Sequence, residues 1–224
     1  MLPLVFAAGA AETGLPGLPA AVSAAAPAAV AVNQPSPDVA APARLRSGLV
    51  VGLSLGGAVG GSSGYPNASS DIDNPAFYSA SGFMAGSNGT LFVMGALTDY
   101  LSFGFWAGST MYRNGDWRAS AAGGGLRVEA FPFIGISPVL GGLGVLGNFG
   151  VGGGHLQSTN PLRPEASGTQ SYLGGGVFWE FPFGHLFGGH FAVGPNLEYD
   201  AMFSRPFESH GLVASLRIVF YGGP

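Results

Sequence analysis

Gly142-Leu-Gly-Val-Leu-Gly147 has the G-x-G-x-x-G spacing of a dinucleotide-binding loop. In such a loop the glycines let the backbone approach a pyrophosphate, and a helix that starts there binds the phosphates at its N-terminus. The residues that follow here, Asn148-Phe-Gly-Val-Gly-Gly-Gly154, do not sustain a helix because glycine strongly disfavours one. The motif therefore predicts no nucleotide site, and we expect no cofactor.

The other candidates for catalysis or metal binding are histidines, serines and acidic residues. The four histidines are His155, His185, His190 and His210. None has the H-x-x-x-H or H-E-x-x-H spacing of a helical metal site. Glu208, Ser209 and His210 are adjacent in the sequence, whereas catalytic triads are assembled from separated segments. We expect no catalytic residues and no metal ligands.

Six charged residues form a more informative group. They are Arg127, Glu129, Glu180, Glu198, Asp200 and Arg217. Each is flanked by bulky apolar residues of the opposite parity, as Glu180 is by Trp179 and Phe181. Alternate residues of a strand share a face, so all six belong to one face, and charges that are buried together must be paired. If the strands that hold these residues close into a barrel, this face lines the lumen. We therefore hypothesise a lumenal charge network, which acts either as a plug or gate or as interior packing.

The segments that hold these charges alternate between apolar and small or polar residues. Leu49, Val51 and Leu53, for example, alternate with Gly52 and Ser54. A period of two predicts a β-strand. Eight such strands are predicted, at residues 49–60, 83–97, 101–112, 118–133, 139–154, 170–183, 189–203 and 210–221.

The connections between the predicted strands alternate in length. We expect tight turns at 98–100, 134–138 and 184–188. The intervening connections are 61–82, 113–117, 155–169 and 204–209, and they are mostly longer and more polar. An even number of antiparallel strands with this alternation is typical of barrels in the bacterial outer membrane. The predicted fold is all-β, an eight-stranded antiparallel up-and-down transmembrane β-barrel.

The composition agrees with a barrel whose apolar face is on the outside. Charged residues make up 9% of the chain and hydrophobic residues 47%, whereas a typical soluble domain has about 25% charged residues. So few charges cannot solvate the outside of a soluble barrel, but they can pair inside a lumen while the apolar face contacts lipid. The net charge of −4, without a basic cluster, excludes nucleic-acid binding.

The residues before the predicted barrel divide into two segments. Residues 1–11 resemble a truncated signal peptide, since an apolar run precedes the small residues Ala8-Gly9-Ala10 but a basic start is missing. Residues 12–45 are rich in Ala and Pro and lack aromatic residues, so we predict a flexible, disordered segment. The barrel domain is assigned to residues 46–221.

Two stretches carry a resemblance to a known architecture. They are ALTDYLSFGFWAG, a hairpin at 96–108, and GLVASLRIVFY, residues 211–221 of the last predicted strand. Both resemble small eight-stranded outer-membrane β-barrels of the OmpA, OmpX and OmpW-like groups. The last strand departs from the pattern, because Gly222-Gly-Pro224 follows the terminal aromatic residue.

The resemblance implies a monomer in the bacterial outer membrane, whose partners are the membrane lipid and the barrel assembly machinery. It implies a non-catalytic role in structural support or in surface interaction through the loops. Three alternatives stay open at this point: a narrow, porin-like passive channel, a soluble secreted barrel or sandwich that acts as a binding module, and an enzyme that modifies outer-membrane lipid.

Overall fold

The computed structural model describes residue 46, residues 48–137 and residues 139–223. The predicted signal peptide at 1–11 and the predicted flexible segment at 12–45 lie outside these residues. Among the described residues, no helix is long and apolar enough to cross a membrane.

The described chain consists almost entirely of strands. The ten strands are β1 (Gly48–Gly64), β2 (Ser79–Ala80), β3 (Met84–Thr98), β4 (Leu101–Arg113), β5 (Trp117–Ala130), β6 (Leu143–Ser158), β7 (Ala166–Trp179), β8 (Phe181–Leu186), β9 (Gly189–Phe203) and β10 (Phe207–Gly222). Two short 3-10 helices, Pro75–Phe77 and Leu140–Gly142, lie in the connections.

The strands pair antiparallel in the order β10-β1-β3-β4-β5-β6-β7-β9, and β9 pairs with β10. The eight long strands therefore form a closed sheet, in which each of them is paired on both sides. Strand β8 is a continuation of β7, because Phe178 pairs with Asn196 and Phe181 pairs with Val193 of the same neighbour, β9. Strand β2 is a short addition to β1. The predicted closed barrel of eight antiparallel strands is confirmed.

The two ends of the barrel differ. The turn end carries the connections 99–100, 131–142 and 187–188, together with the start of β1 and the end of β10. The loop end carries the connections 65–83, 114–116, 159–165 and 204–206. The predicted distribution of the connections over two opposite ends is seen, but the predicted alternation in length is not. The turn-end connection 131–142 has 12 residues, whereas the loop-end connections 114–116 and 204–206 have three each.

Side chains alternate between the outside and the lumen as the period of two predicts. In β1, Leu53 and Leu55 are 40% and 57% exposed on the outside, whereas Val50 and Ser54 are buried in the lumen. In β6, Val145, Phe149 and Val151 lie on the outside, and Asn148 is buried in the lumen.

Glycine makes room in the narrow lumen, both within the 142–147 motif that resembles a phosphate loop and in the segment that follows it. A Cβ atom at Gly144 would overlap the ring of Phe178. A Cβ atom at Gly150 would overlap the backbone of Gly124 on the neighbouring strand. These glycines therefore serve close packing, and β6 takes the place of the helix that a dinucleotide site needs.

Several predicted strand boundaries are wrong by three or four residues. Strands β1 and β6 extend to Gly64 and Ser158 instead of 60 and 154, and β7 and β10 start at Ala166 and Phe207 instead of 170 and 210. Two other differences have a visible cause. The connection predicted as a tight turn at 134–138 runs from 131 to 142. It is longer because the chain turns inward at Phe131 and then forms the 3-10 helix Leu140–Gly142. Strand β6 therefore starts at Leu143 instead of 139. The strand predicted to end at 183 continues through Pro182 to Leu186, because a shift of register between Pro182 and Gly184 accommodates the missing proline N–H.

Apolar side chains fill most of the lumen. The group nearer the loop end consists of Ala58, Met84, Tyr112, Trp117, Ala119, Leu156, Ala166, Phe207 and Val213. Two further groups consist of Val50, Phe92, Met94, Trp106, Ala192, Val219 and Tyr221, and of Phe131, Leu146 and Phe178. An eight-stranded barrel has just enough interior for its own side chains, and this one uses that interior for packing.

Candidate functional site

The six charges predicted to face the lumen come from four parts of the barrel. Strand β5 supplies Arg127 and Glu129, β9 supplies Glu198 and Asp200, β10 supplies Arg217, and the junction of β7 with β8 supplies Glu180. Five of them, all except Asp200, are at most 4% exposed. The shared parity therefore places these five side chains inside the barrel, where water cannot screen their charges.

Arg217 is held between two carboxylates. Its Nη1 and Nη2 donate to the two oxygens of Glu129 at 3.0 and 2.9 Å, in a bidentate arrangement. Its Nη2 also lies 2.8 Å from Oε1 of Glu180. Bidentate Arg–carboxylate pairs combine charge with fixed geometry and are among the stronger hydrogen-bonded contacts. Arg217 thus ties β10 to β5 and to the β7–β8 junction across the lumen.

Arg127 extends the network toward β9. Its Nε donates to Glu129 Oε1 at 2.7 Å, and its Nη1 lies 3.7 Å from Glu198 Oε1. Asn148 bridges the two residues, because its side-chain oxygen accepts from Arg127 at 3.2 Å and its amide donates to Glu198 at 2.9 Å. Asn196 donates to Glu198 at 2.6 Å. Glu198 is therefore bound by amides as well as by an arginine.

The turn end of the network closes on Glu180. The hydroxyl of Tyr221 donates to Glu180 Oε2 at 2.7 Å, and Nη2 of Arg46 lies 3.4 Å from the same oxygen. The Arg46 guanidinium stacks 3.7 Å from the ring of Phe131. The connected group then holds three arginines and three glutamates, so its formal charges balance.

Aromatic rings enclose the two central arginines. The guanidinium carbon of Arg217 lies 3.8 Å from the centroid of Phe178 and 5.0 Å from that of Phe92. The guanidinium carbon of Arg127 lies 4.5 Å from the centroid of Phe92. These cation–π contacts replace part of the lost hydration, and the rings occupy space that a conducting lumen would need.

Asp200 lies apart from this network. It is on the same strand and parity as Glu198, but no described arginine lies within 4 Å of its carboxylate. It lies beside Gly174, and a Cβ atom there would come within 2.6 Å of an Asp200 oxygen. The structure therefore brings five of the six predicted charges together and leaves the sixth separate.

Sequence reasoning missed four members of the network. Asn148, Asn196 and Tyr221 share the inward parity of the charges, so a search for polar residues at those positions finds them. Arg46 precedes the first strand, and therefore no alternation signals its burial. Its position depends on contacts with Phe131, which is distant in the sequence.

The adjacent residues Glu208, Ser209 and His210 do not form a catalytic group. Ser209 points into the lumen, where its hydroxyl lies 3.0 Å from that of Ser62. Glu208 and His210 point to the outside, and Glu208 accepts from the hydroxyl of Ser63 at 3.1 Å. A strand places neighbours on opposite faces, so this serine cannot reach that histidine.

Among the described residues, the outside carries a His–carboxylate pair that the sequence analysis did not single out. Nε2 of His155 lies 3.6 Å from Oε2 of Glu165, and both side chains are about half exposed. Ser120 and Ser167 are the cross-strand neighbours of His155. Within the described chain neither serine hydroxyl is hydrogen-bonded to His155, so the contact between nucleophile and base that a triad needs is not formed.

Comparison with solved structures finds small barrels. The chain is similar to Ail, the attachment invasion locus protein of Yersinia pestis, at 14% identity and a TM-score of 0.48, over 77% of this chain and 99% of that one. It is similar to Neisserial surface protein A at 14% identity and a TM-score of 0.40, over 76% and 96%. It is similar to the outer membrane protein OprG from Pseudomonas aeruginosa at 10% identity and a TM-score of 0.34, over 78% and 96%. No family model and no curated protein matches the chain.

Proposed function

We propose that this chain is an integral β-barrel of the bacterial outer membrane with a non-catalytic role, in structural support of the envelope or in surface interaction through its loops. One observation carries the proposal: the barrel has its apolar face outside and its charges inside. Phe105, Val151 and Leu55 are 67%, 66% and 57% exposed, whereas Arg127 and Arg217 are fully buried. Water would favour the opposite arrangement, and lipid favours this one.

The distribution of outward charges supports a lipid environment. Among the described strands, the Arg, Asp and Glu side chains that point outward are Arg113, Arg118 and Glu208, and each lies within two residues of a loop-end connection. The outward residues from Leu49 to Val59 cover ten residue steps. At about 3.4 Å per residue and a tilt of about 40°, they span about 25 Å, the height of the apolar band of such barrels.

The packed lumen favours a support or surface role over a channel. Phe92 lies between the two central arginines, and the side chains of Trp117 and Phe207 fill the lumen nearer the loop end. The arginines and glutamates are committed to one another and have little access to a substrate. Bacterial outer-membrane barrels have their longer loops outside the cell, and the longest connection here, 65–83, is at the loop end. In that orientation the connections 65–83, 114–116, 159–165 and 204–206 face the outside of the cell.

Membrane fractionation combined with gel mobility tests the proposal. The protein should remain with the outer membrane after carbonate extraction, and the unboiled, detergent-folded sample should migrate differently from the boiled one. A protein that folds and stays soluble without detergent would contradict the proposal.

A second experiment separates the two non-catalytic roles. Replacement of the loop residues 67–73 by a short Gly-Ser linker should leave the mobility shift intact, because no residue of that range belongs to a strand. If the role is surface interaction, adhesion or binding by cells that carry this variant should fall while envelope permeability is unchanged. If the role is structural support, envelope permeability should rise only when the barrel itself is deleted.

A further inference from the structure

Two arginines face each other on the outside of the barrel at its loop end. Arg113 ends β4, Arg118 lies at the start of β5, and the two residues are direct cross-strand partners. Both side chains are exposed and point outward. Cβ atoms of such partners are about 4.5–5.5 Å apart, and like charges at this distance destabilise a hairpin. A pair of this kind is expected to recruit a negative group.

The protein itself supplies no such group among its described residues. The other five described arginines, Arg46, Arg127, Arg163, Arg205 and Arg217, each have a carboxylate oxygen within 4 Å. For Arg113 and Arg118, no Asp or Glu of the described chain lies that close. Glu165 reaches Gln157, the cross-strand partner of Arg118, but it is bound there to Gln157 at 2.9 Å and lies 3.6 Å from His155.

A groove lies on the outer face beside the two arginines. Its volume is about 740 Å³, and the outward side chains that line it include Met111, Ser120 and His155. On the turn side of the groove, the outward residues of β5 are small, Ala122 and then Gly124, until Leu126. The groove thus has a cationic upper rim at the loop end. We call the small outward residues of β5 that continue from it, Ala122 and Gly124, the track.

We propose that this groove, the Arg113/Arg118 groove, binds a phosphorylated lipid of the outer leaflet. The phosphate lies between the two guanidinium groups, and an acyl chain follows the track beside Met111. Charge complementarity argues for the phosphate, because two adjacent arginines can each donate paired N–H groups to its oxygens. The position at the loop end of the apolar band argues for a membrane lipid, since headgroups of the outer leaflet lie at that level. The inference rests on the outer-membrane location proposed above.

Lipid titration followed by native mass spectrometry tests the site. The probes are a synthetic diphosphorylated lipid A, the same lipid without its phosphates, and inorganic phosphate as a competitor. The proteins are the wild type, the Arg113→Gln/Arg118→Gln double variant, and the matched control Arg205→Gln. The control removes an exposed loop arginine that is paired with Asp73 at 2.6 Å. The double variant should bind diphosphorylated lipid A about tenfold more weakly than the wild type, which corresponds to about 1.4 kcal/mol. The control should bind as the wild type does.

The outcomes separate this inference from the proposed function. Every sample is first checked for detergent-dependent folding by its mobility shift, and a protein that folds without detergent contradicts the proposed function. A folded barrel contradicts only the lipid site in three cases: when the double variant binds as tightly as the wild type, when removal of the lipid phosphates changes nothing, or when inorganic phosphate at equal concentration displaces the lipid.

Discussion

Removal of Arg217 should cost the barrel about 3 kcal/mol of stability. Arg217 is fully buried and bound to both oxygens of Glu129, and it lies 2.8 Å from Glu180. Breaking a buried ion pair by removing one partner costs about 3–5 kcal/mol, because the other charge is left uncompensated. We expect the lower end for Arg217→Met, since Glu129 keeps Arg127 and Glu180 keeps Tyr221.

The assay is urea unfolding of the detergent-folded barrel, monitored by tryptophan fluorescence, which Trp106 in the lumen reports. With a urea dependence of about 2–3 kcal/mol/M, a loss of about 3 kcal/mol lowers the midpoint by about 1–1.5 M. Arg217→Met combined with Glu129→Gln should cost less than the sum of the two single variants, because they share one contact. Arg205→Met, which removes an exposed loop pair, is the control and should leave the midpoint unchanged.

Two results would refute this reasoning. A midpoint for Arg217→Met equal to that of the wild type would mean that the arginine is not buried among carboxylates. Strict additivity in the double variant would mean that Arg217 and Glu129 do not interact.

Three further predictions test the faces of the barrel and its lumen. Val151→Arg places a charge on the apolar outside and should destabilise the barrel by about 2–4 kcal/mol in urea unfolding. The control Val151→Leu should not destabilise it, and equal stability of the two variants would contradict the outward position of Val151. Gly150→Val should prevent folding, detected as loss of the gel mobility shift, because a Cβ atom there overlaps the backbone of Gly124 on the neighbouring strand. A normally folded variant would show that these strands are not closely packed. In planar bilayers neither the wild type nor Arg217→Ala should give discrete conductance steps, because the lumen is filled by side chains, and reproducible steps from either protein would favour a gate over interior packing.

Most of the fold could be predicted from the sequence, because an apolar exterior in lipid imposes strict parity. Leu49, Val51 and Leu53 alternate with small residues, and this alternation shows which face of the strand each side chain takes. The local sequence alone therefore predicts the strand and its two faces. The same parity predicts the buried position of Arg217 without reference to its partners.

Features that depend on distant contacts could not be predicted in this way. The start of β6 is set by the inward turn at Phe131, whose ring packs edge-on against Phe178, 47 residues later in the sequence. Strand β8 continues past Pro182 because a shift of register with β9 accommodates it, and one strand read alone contains no sign of that shift.

The candidate site was also predicted only in part, because parity is local and pairing depends on distant contacts. Parity placed the charges in the lumen, but it did not indicate that Asp200, unlike Glu198 on the same face, has no described arginine within 4 Å. Which of the two carboxylates is paired depends on where the Arg127 side chain crosses the lumen, and it comes within 3.7 Å of Glu198. The outward pair of His155 with Glu165 likewise forms between a strand and a loop.

Accessibility of spin labels in lipid vesicles tests the central claim most directly, and the chain contains no native cysteine to interfere. Labels at Phe105→Cys and Val151→Cys should be accessible to oxygen and shielded from an aqueous nickel chelate. A label at Leu162→Cys in the loop 159–165, where the native side chain is 91% exposed, should show the reverse. If the nickel chelate reaches Phe105→Cys and Val151→Cys as readily as Leu162→Cys, the apolar outside does not face lipid, and the account of an outer-membrane barrel is wrong.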